Sequence, residues 1–315
     1  YRKLTGMQGK FITAWLCAMS LFHLYTAGIA TMPITIQRAI HLTFAIVAVY
    51  ILFPAGRKGS KTSTPIYDWI LAVISGGVIG YIIFFFNDIA RRGAEPLPYE
   101  IWLGIAAIIL VLEAGRRVVG NVLPCMSILF LLYCRFGYMV PGMFQIRGYT
   151  LSRIIQHMYL TPEGIFGLAL GVSATFVIVF IIFGAFLSQS GGARFFNELA
   201  LAVAGGTPGG PAKVAVVASG LLGTINGSSV ANVATTGTFT IPLMKRVGYP
   251  PHYAGAVEAC ASTGGQLMPP IMGAGAFIMS EFLGIPYLTI AAAAIIPAFI
   301  YYTAIFTNVH IRARK

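Results

Sequence analysis

Long apolar runs divided by short basic loops make up most of the chain. Runs at 11–31, 39–53, 67–86, 99–119, 121–139 and 165–187 predict membrane-spanning helices, for which a bilayer core asks ~20 apolar residues. Residues 145–164 are too polar to span and predict an interfacial helix, and residues 193–205 read the same way. Past residue 205 the pattern changes. The stretch GTINGSSVANVATTGTFTIPLM (223–244) is small and polar, yet apolar helical sequence flanks it. Its centre, NGSS at 226–229, is a run of turn formers. Arms at 212–225 and 229–244 would each be ~21–24 Å long, enough to pass the middle of a ~30 Å apolar core without crossing it. A re-entrant helical hairpin over 212–245 is the expectation. Irregular backbone at that depth is tolerated only inside protein or against a watered cavity, which points to a binding site.

A second interruption follows directly. Residues 252–284 are long enough to span, but STGGQLMPP at 262–270 breaks the run. Gly264 and Gly265 suit a helix end, and Pro269 and Pro270 suit the first turn of a restarted helix. Close packing of small residues would explain Ser219, Gly220, Thr235 and Gly237, but not four consecutive turn formers. Two broken helices at similar depth are the mark of a transporter site.

Composition agrees with the pattern. The chain is 57% hydrophobic and 10% charged, with mean hydropathy +0.81, where a soluble domain carries about 25% charged residues. The net charge of +12 would suggest nucleic acid in a soluble protein. Here it follows the bias of Lys and Arg toward cytoplasmic loops, so nucleic acid is excluded as a partner. Arg2, Lys3, Lys10, Arg57, Lys58, Lys61, Arg116, Arg117 and Arg194 fall on one side. Arg38, and Arg91 and Arg92 offset by Asp88, Glu95 and Glu100, fall on the other. The segment with Arg135, Arg147 and Arg153 departs from the rule. The layout places the N-terminus, Lys213, Lys245, Arg246 and the 310–315 end in the cytoplasm. Cys17, Cys125, Cys134 and Cys260 lack metal or redox spacing and read as small buried hydrophobes. The segment GGTPGGPAKV (205–214) lacks the Lys-Ser/Thr pair of a phosphate loop. No organic cofactor is expected.

Helix ends suggest the chemistry. The first half-helices end in unpaired carbonyls with partial negative charge, which suits a bare cation such as Na⁺. Asn226, Gly227, Ser228, Ser229, Thr263, Gly264 and Gly265 are its candidate ligands. The restarting halves present N–H groups, which suit a carboxylate. Ser228, Ser229, Asn232, Gln266, Pro269 and Pro270 are the candidate substrate residues, with Ser228 and Ser229 placed to cap the second arm. Glu258, about 10 Å into its helix, is a candidate functional carboxylate or a partner for hairpin polar groups. Glu113 is expected to pair with Arg116 and Arg117, Glu281 to be solvated, and His23 to be a packed, hydrogen-bonded residue. Na⁺-coupled uptake of a carboxylate is the leading function. A channel with a re-entrant selectivity loop is the alternative. An enzyme ranks last, since the spans hold no Ser/His, paired-Asp or HExxH arrangement.

The segments GGPAKVAVVASGLLGTINGSSVANVATTGTFTIPLMKRVGYPP and AGAVEACASTGGQLMPPIMGAGAFIMSEFLGIPY resemble the membrane permease of tripartite ATP-independent periplasmic (TRAP) transporters. LFHLYTAG, QRAIHLTF, YDWILA and LEAGRRVVG resemble the small-subunit region of the fused form. The resemblance implies an all-α integral membrane protein of about eight transmembrane helices plus one re-entrant hairpin. Residues 1–120 would be a small-subunit-like scaffold of four helices, 121–164 a connection, and 165–315 the first repeat of the large subunit. It implies Na⁺-driven, elevator-type uptake of an organic acid, delivered by a periplasmic substrate-binding protein at a bacterial inner membrane. Only one of the family's two inverted repeats is present. The second is expected later in the same gene or on a companion chain, and residues 1–315 are expected to be inactive alone.

Overall fold

The computed structural model describes residues 1–56, 59–60 and 62–314. Arg57, Lys58 and Lys61, assigned above to a cytoplasmic loop, and Lys315 lie outside the described residues. Among those described, every regular element is helical. The chain divides into two compact units, Tyr1–Thr175 and Phe176–Lys315.

The first unit holds α1 (Gly6–Gly28), α2 (Ile34–Leu52), α3 (Ile66–Phe84), the short α4 (Phe86–Arg91), α5 (Pro98–Val119), α6 (Val122–Phe136), α7 (Leu151–Ile155) and α8 (Leu168–Val172). Its core gathers Ile46, Tyr50, Ile79, Ile82, Ala107 and Leu110 from α2, α3 and α5. The Tyr50 hydroxyl reaches the Leu110 carbonyl at 2.8 Å, which satisfies a polar atom that burial would otherwise penalise. Helix α5 starts where the sequence favours it, with Pro98 in the first turn and the Glu100 carboxylate accepting the Leu97 N–H at 2.7 Å. The expected interfacial helix is shorter than its pattern, only α7 followed by a π-helical turn to Leu160.

Buried charge in this unit is paired with charge. Arg2 and Asp68 are fully buried and meet at 2.5 Å, and Arg117 reaches the other Asp68 oxygen at 2.7 Å. Arg117 and Arg116 also hold Glu113, as their helical spacing predicts. Buried Glu100 takes Arg92 at 2.7 Å and the Tyr81 hydroxyl at 2.6 Å. His23 donates through Nδ1 to the Met19 carbonyl and bonds His41 through Nε2, so it is a packed, hydrogen-bonded residue.

The second unit holds α9 (Ile178–Gln189), α10 (Gly192–Ala204), α11 (Gly210–Asn226), α12 (Ser229–Arg246), α13 (Pro251–Thr263), α14 (Ala274–Leu283) and α15 (Tyr287–Arg314). The hairpin is α11 and α12, of 17 and 18 residues. Its core is built from small side chains, among them Ala212, Ala215, Ala254 and Ala261, which let helix backbones approach closely.

Six helices are long and apolar enough to cross a membrane: Gly6–Gly28, Ile34–Leu52, Ile66–Phe84, Val122–Met139, Leu168–Leu187 and Tyr287–Arg314. Helix α5 has 22 residues but carries Glu100, Glu113, Arg116 and Arg117. Outward faces are apolar, as with Ile70 and Val73 on α3 and Leu288, Ile296 and Phe299 on α15. This is the signature of a multi-pass membrane protein, because lipid-facing side chains need no burial in protein.

Two expectations are corrected. Cys17, Cys125 and Cys260 are exposed rather than buried, since an apolar residue in a membrane helix can face outward at no cost. Lys213 is no loop residue. It lies buried in the first turn of α11, donating to the Thr207 hydroxyl at 3.2 Å with its ammonium 5.0 Å from the centre of the Phe306 ring.

Candidate functional site

The hairpin turns where the sequence is richest in turn formers. Gly227, in the left-handed region at φ +54°, ends α11. The Ser228 hydroxyl then accepts the Ala231 N–H at 3.3 Å and caps α12. The Asn226 side-chain oxygen accepts the Ser228 N–H, which tightens the turn.

The break is placed as the glycines indicate, and the restart is not. Helix α13 ends at Thr263 and passes into a tight turn, Gly264–Gln266. The next helix begins at Ala274 rather than at Pro269 and Pro270. One backbone conformation and two sets of hydrogen bonds hold the intervening chain off the helical path. Met272 is left-handed at φ +54°, the Gly273 N–H donates to the Gln266 carbonyl at 2.8 Å, and the Tyr287 hydroxyl of α15 lies within donating distance of the Pro270 and Ile271 carbonyls, at 2.6 and 2.5 Å.

Tip and break meet directly. A Cβ on Gly227 would stand 1.8 Å from the Met272 carbonyl oxygen, and one on Gly223 would stand 2.5 Å from the Gly265 Cα. Only glycine allows backbones this close. Gln266 donates to the Ser229 hydroxyl at 3.0 Å, which joins two of the expected site residues across the two elements. Buried Asn232 lies against Gly265 and donates its amide to the Ser219 carbonyl at 2.8 Å. Its side-chain oxygen is buried with no hydrogen-bond partner.

Other expected residues stand apart from this junction. Thr263 is exposed and its hydroxyl turns back to the Ala259 carbonyl. Pro269 and Pro270 line a cavity of about 640 Å³ with Val216, Leu221, Phe299 and Phe306, an apolar wall rather than a polar site. Glu281 is exposed.

Below the tip, Glu258 is fully buried within the hairpin's grip. Its carboxylate is reached by the hydroxyls of Thr236 and Thr240 on α12, Ser262 on α13 and Ser219 on α11. These four partners are absent from the sequence expectation. The spacings Thr236/Thr240 and Glu258/Ser262 put each pair on one helix face, but which faces meet is a tertiary matter. Tyr301 and Tyr302 of α15 add hydroxyls to the Cys260 and Ala261 carbonyls at 2.8 and 3.0 Å.

The arrangement offers closely packed carbonyls, amides and hydroxyls without an exposed fixed charge, a set of hard oxygens suited to a weakly held cation.

Comparison with known proteins identifies the family. The family described as the tripartite ATP-independent periplasmic transporter, DctM component, matches residues 106–315. The C4-dicarboxylate TRAP transporter large permease protein DctM of Pseudomonas aeruginosa is 31% identical over 152 residues, 46% of this chain and 36% of that protein. The isethionate TRAP transporter permease protein DctMQ of Oleidesulfovibrio alaskensis is 35% identical over 91 residues, 29% of this chain and 14% of that protein. The 2,3-diketo-L-gulonate TRAP transporter large permease protein YiaN of Escherichia coli is 27% identical over 115 residues, 36% of this chain and 27% of that protein. The chain thus spans little more than a third of the length of such relatives at most. No solved structure matches. With two thirds of its length matched, the chain belongs to the DctM-component family of tripartite ATP-independent periplasmic transporters, a family of membrane transporters and not of enzymes.

Proposed function

We propose that the junction of hairpin tip and helix break is the Na⁺ and carboxylate half-site of a secondary active permease. The permease takes up an organic acid delivered by a periplasmic substrate-binding protein, across a bacterial inner membrane, by an elevator-type movement. The observation that carries this reading is the Asn232 side-chain oxygen, buried and unpaired where Gly223 and Gly265 touch. An orphaned buried acceptor costs about 1–3 kcal/mol, which a bound cation would offset. Two helix C-termini, at Asn226 and Thr263, add partial negative charge. The N-terminus of α12, capped by Ser228, supplies N–H groups for a carboxylate. The named substrates of the relatives, C4-dicarboxylates, isethionate and a diketogulonate, are all organic anions. The second inverted repeat completes the site from the opposite face, and the N-terminus and the Lys213 and Lys245 flanks face the cytoplasm.

The test is uptake by proteoliposomes holding the transporter with its second repeat and binding protein. Asn232→Ala and Ser229→Ala are expected to lower Na⁺-dependent uptake about tenfold each, the effect of ~1.4 kcal/mol of lost ion stabilisation. Uptake and Na⁺ dependence equal to the parent protein in both variants would overturn the reading. Ion flux without substrate would favour a channel.

A further inference from the structure

Glu258 differs from every other buried acid among the described residues, because no arginine or lysine pairs with it. Its partners are four hydroxyls, themselves buried. Thr236 meets Oε1, as do Ser262 at 3.1 Å and Ser219 at 3.3 Å, while Thr240 meets Oε2 at 2.5 Å. Among the described residues, no cationic side chain on the surrounding helices pairs with it. Lys213 on α11 bonds Thr207; Lys245 and Arg246 on α12, and His252 and Cys260 on α13, are exposed. On α15, Tyr301 and Tyr302 donate to backbone carbonyls. The Tyr253 hydroxyl and the His310 Nδ1 are buried without a hydrogen-bond partner, and the Tyr253 ring lies against Tyr249 and Arg312.

The hydroxyls sit at direct hydrogen-bond distance from the carboxylate. Proton accounting shows that this ring can take a proton. Each hydroxyl carries one hydrogen. With Glu258 ionised, all four can point at the carboxylate, and charge-assisted bonds of this kind stabilise a buried anion. Thr240 has a second acceptor, the Thr236 carbonyl at 3.0 Å, and Thr236 has the Asn232 carbonyl at 2.8 Å. With a proton on Oε2, that O–H donates to the Thr240 oxygen and Thr240 turns to the Thr236 carbonyl. Ser219 and Ser262 stay on Oε1. Neither state orphans a buried polar atom.

We propose that Glu258 is a proton-binding site, taking one proton from water onto Oε2 and releasing it again as the Thr240 hydroxyl reverses. The ring joins α11, α12 and α13 and touches no solvent, so exchange accompanies parting of the hairpin from α13. That last step ties proton exchange to transport and rests on the transport reading; proton binding does not.

Infrared difference spectroscopy on the protein in lipid nanodiscs tests the site directly, with pH stepped between about 5 and 9 in sodium and in choline chloride. The expected result is a protonated-carboxyl carbonyl band that grows on acidification in both salts and is missing from Glu258→Gln. Thr240→Val removes a charge-assisted bond from the anion and a weaker neutral one from the acid, so the band should persist to a higher pH. The Thr240→Val shift carries the test if Glu258→Gln does not fold. A band that is retained in Glu258→Gln, fails to change with pH, or follows Na⁺ instead of pH would overturn the proposal. Such a failure would leave the Na⁺-dependent uptake result untouched.

Discussion

Asp68 in the first unit and Glu258 in the second are both carboxylates with no solvent exposure, and they are held in opposite ways. Asp68 sits between two arginines, Arg2 and Arg117, and a chain of ion pairs runs on through Glu113 to Arg116. Glu258 meets only hydroxyls. A buried ion pair tolerates little displacement, because separating its partners leaves uncompensated charge. A hydroxyl ring re-bonds by rotating single side chains. The buried acids of the first unit are therefore locked into an ion-paired frame, and Glu258 of the second sits in a hydroxyl ring that can re-bond.

The sharpest way to break the comparison is to neutralise each acid in turn. Asp68→Asn leaves buried Arg2 without a carboxylate and takes one of two from Arg117, and is expected to cost about 3–5 kcal/mol. Glu258→Gln loses charge from a ring that can redirect its hydrogens, and should cost no more than about 1.5 kcal/mol. Chemical unfolding of the purified variants measures both. Equal costs would erase the distinction between frame and ring.

A smaller effect is expected at the tip. Gly227→Ala places a methyl group against the Met272 carbonyl at a left-handed position and should cost about 1–3 kcal/mol, with loss of Na⁺-dependent uptake. A variant with unchanged stability and uptake would mean that the tip and break need not touch.

What the sequence disclosed follows from how local each feature is. The turn at residues 226–229, the helix end at Gly264 and the Glu113 pairs with Arg116 and Arg117 depend on neighbours a few residues away, and all are found in place. The restart at Ala274 instead of Pro269 depends on Tyr287, which reaches back across the loop from another helix. Asp68 meets Arg2 and Arg117 over 66 and 49 residues of chain, and no periodicity encodes that. The ring around Glu258 and the unpaired Asn232 oxygen likewise arise from which helix faces meet. Outward apolar faces explain the cysteines, since hydrophobic pattern in a membrane helix does not separate lipid-facing from protein-facing positions.

The central claim, that Asn232 and the tip–break junction hold Na⁺, is tested most directly by the melting temperature of the purified protein as Na⁺ replaces choline. A ligand that binds only the folded state stabilises it by RT ln(1 + [L]/Kd). Na⁺ should raise the melting temperature of the parent protein and of the less stable Asp68→Asn variant alike, and the rise should vanish in Asn232→Ala. A rise in Asn232→Ala as large as in the parent protein would contradict the account.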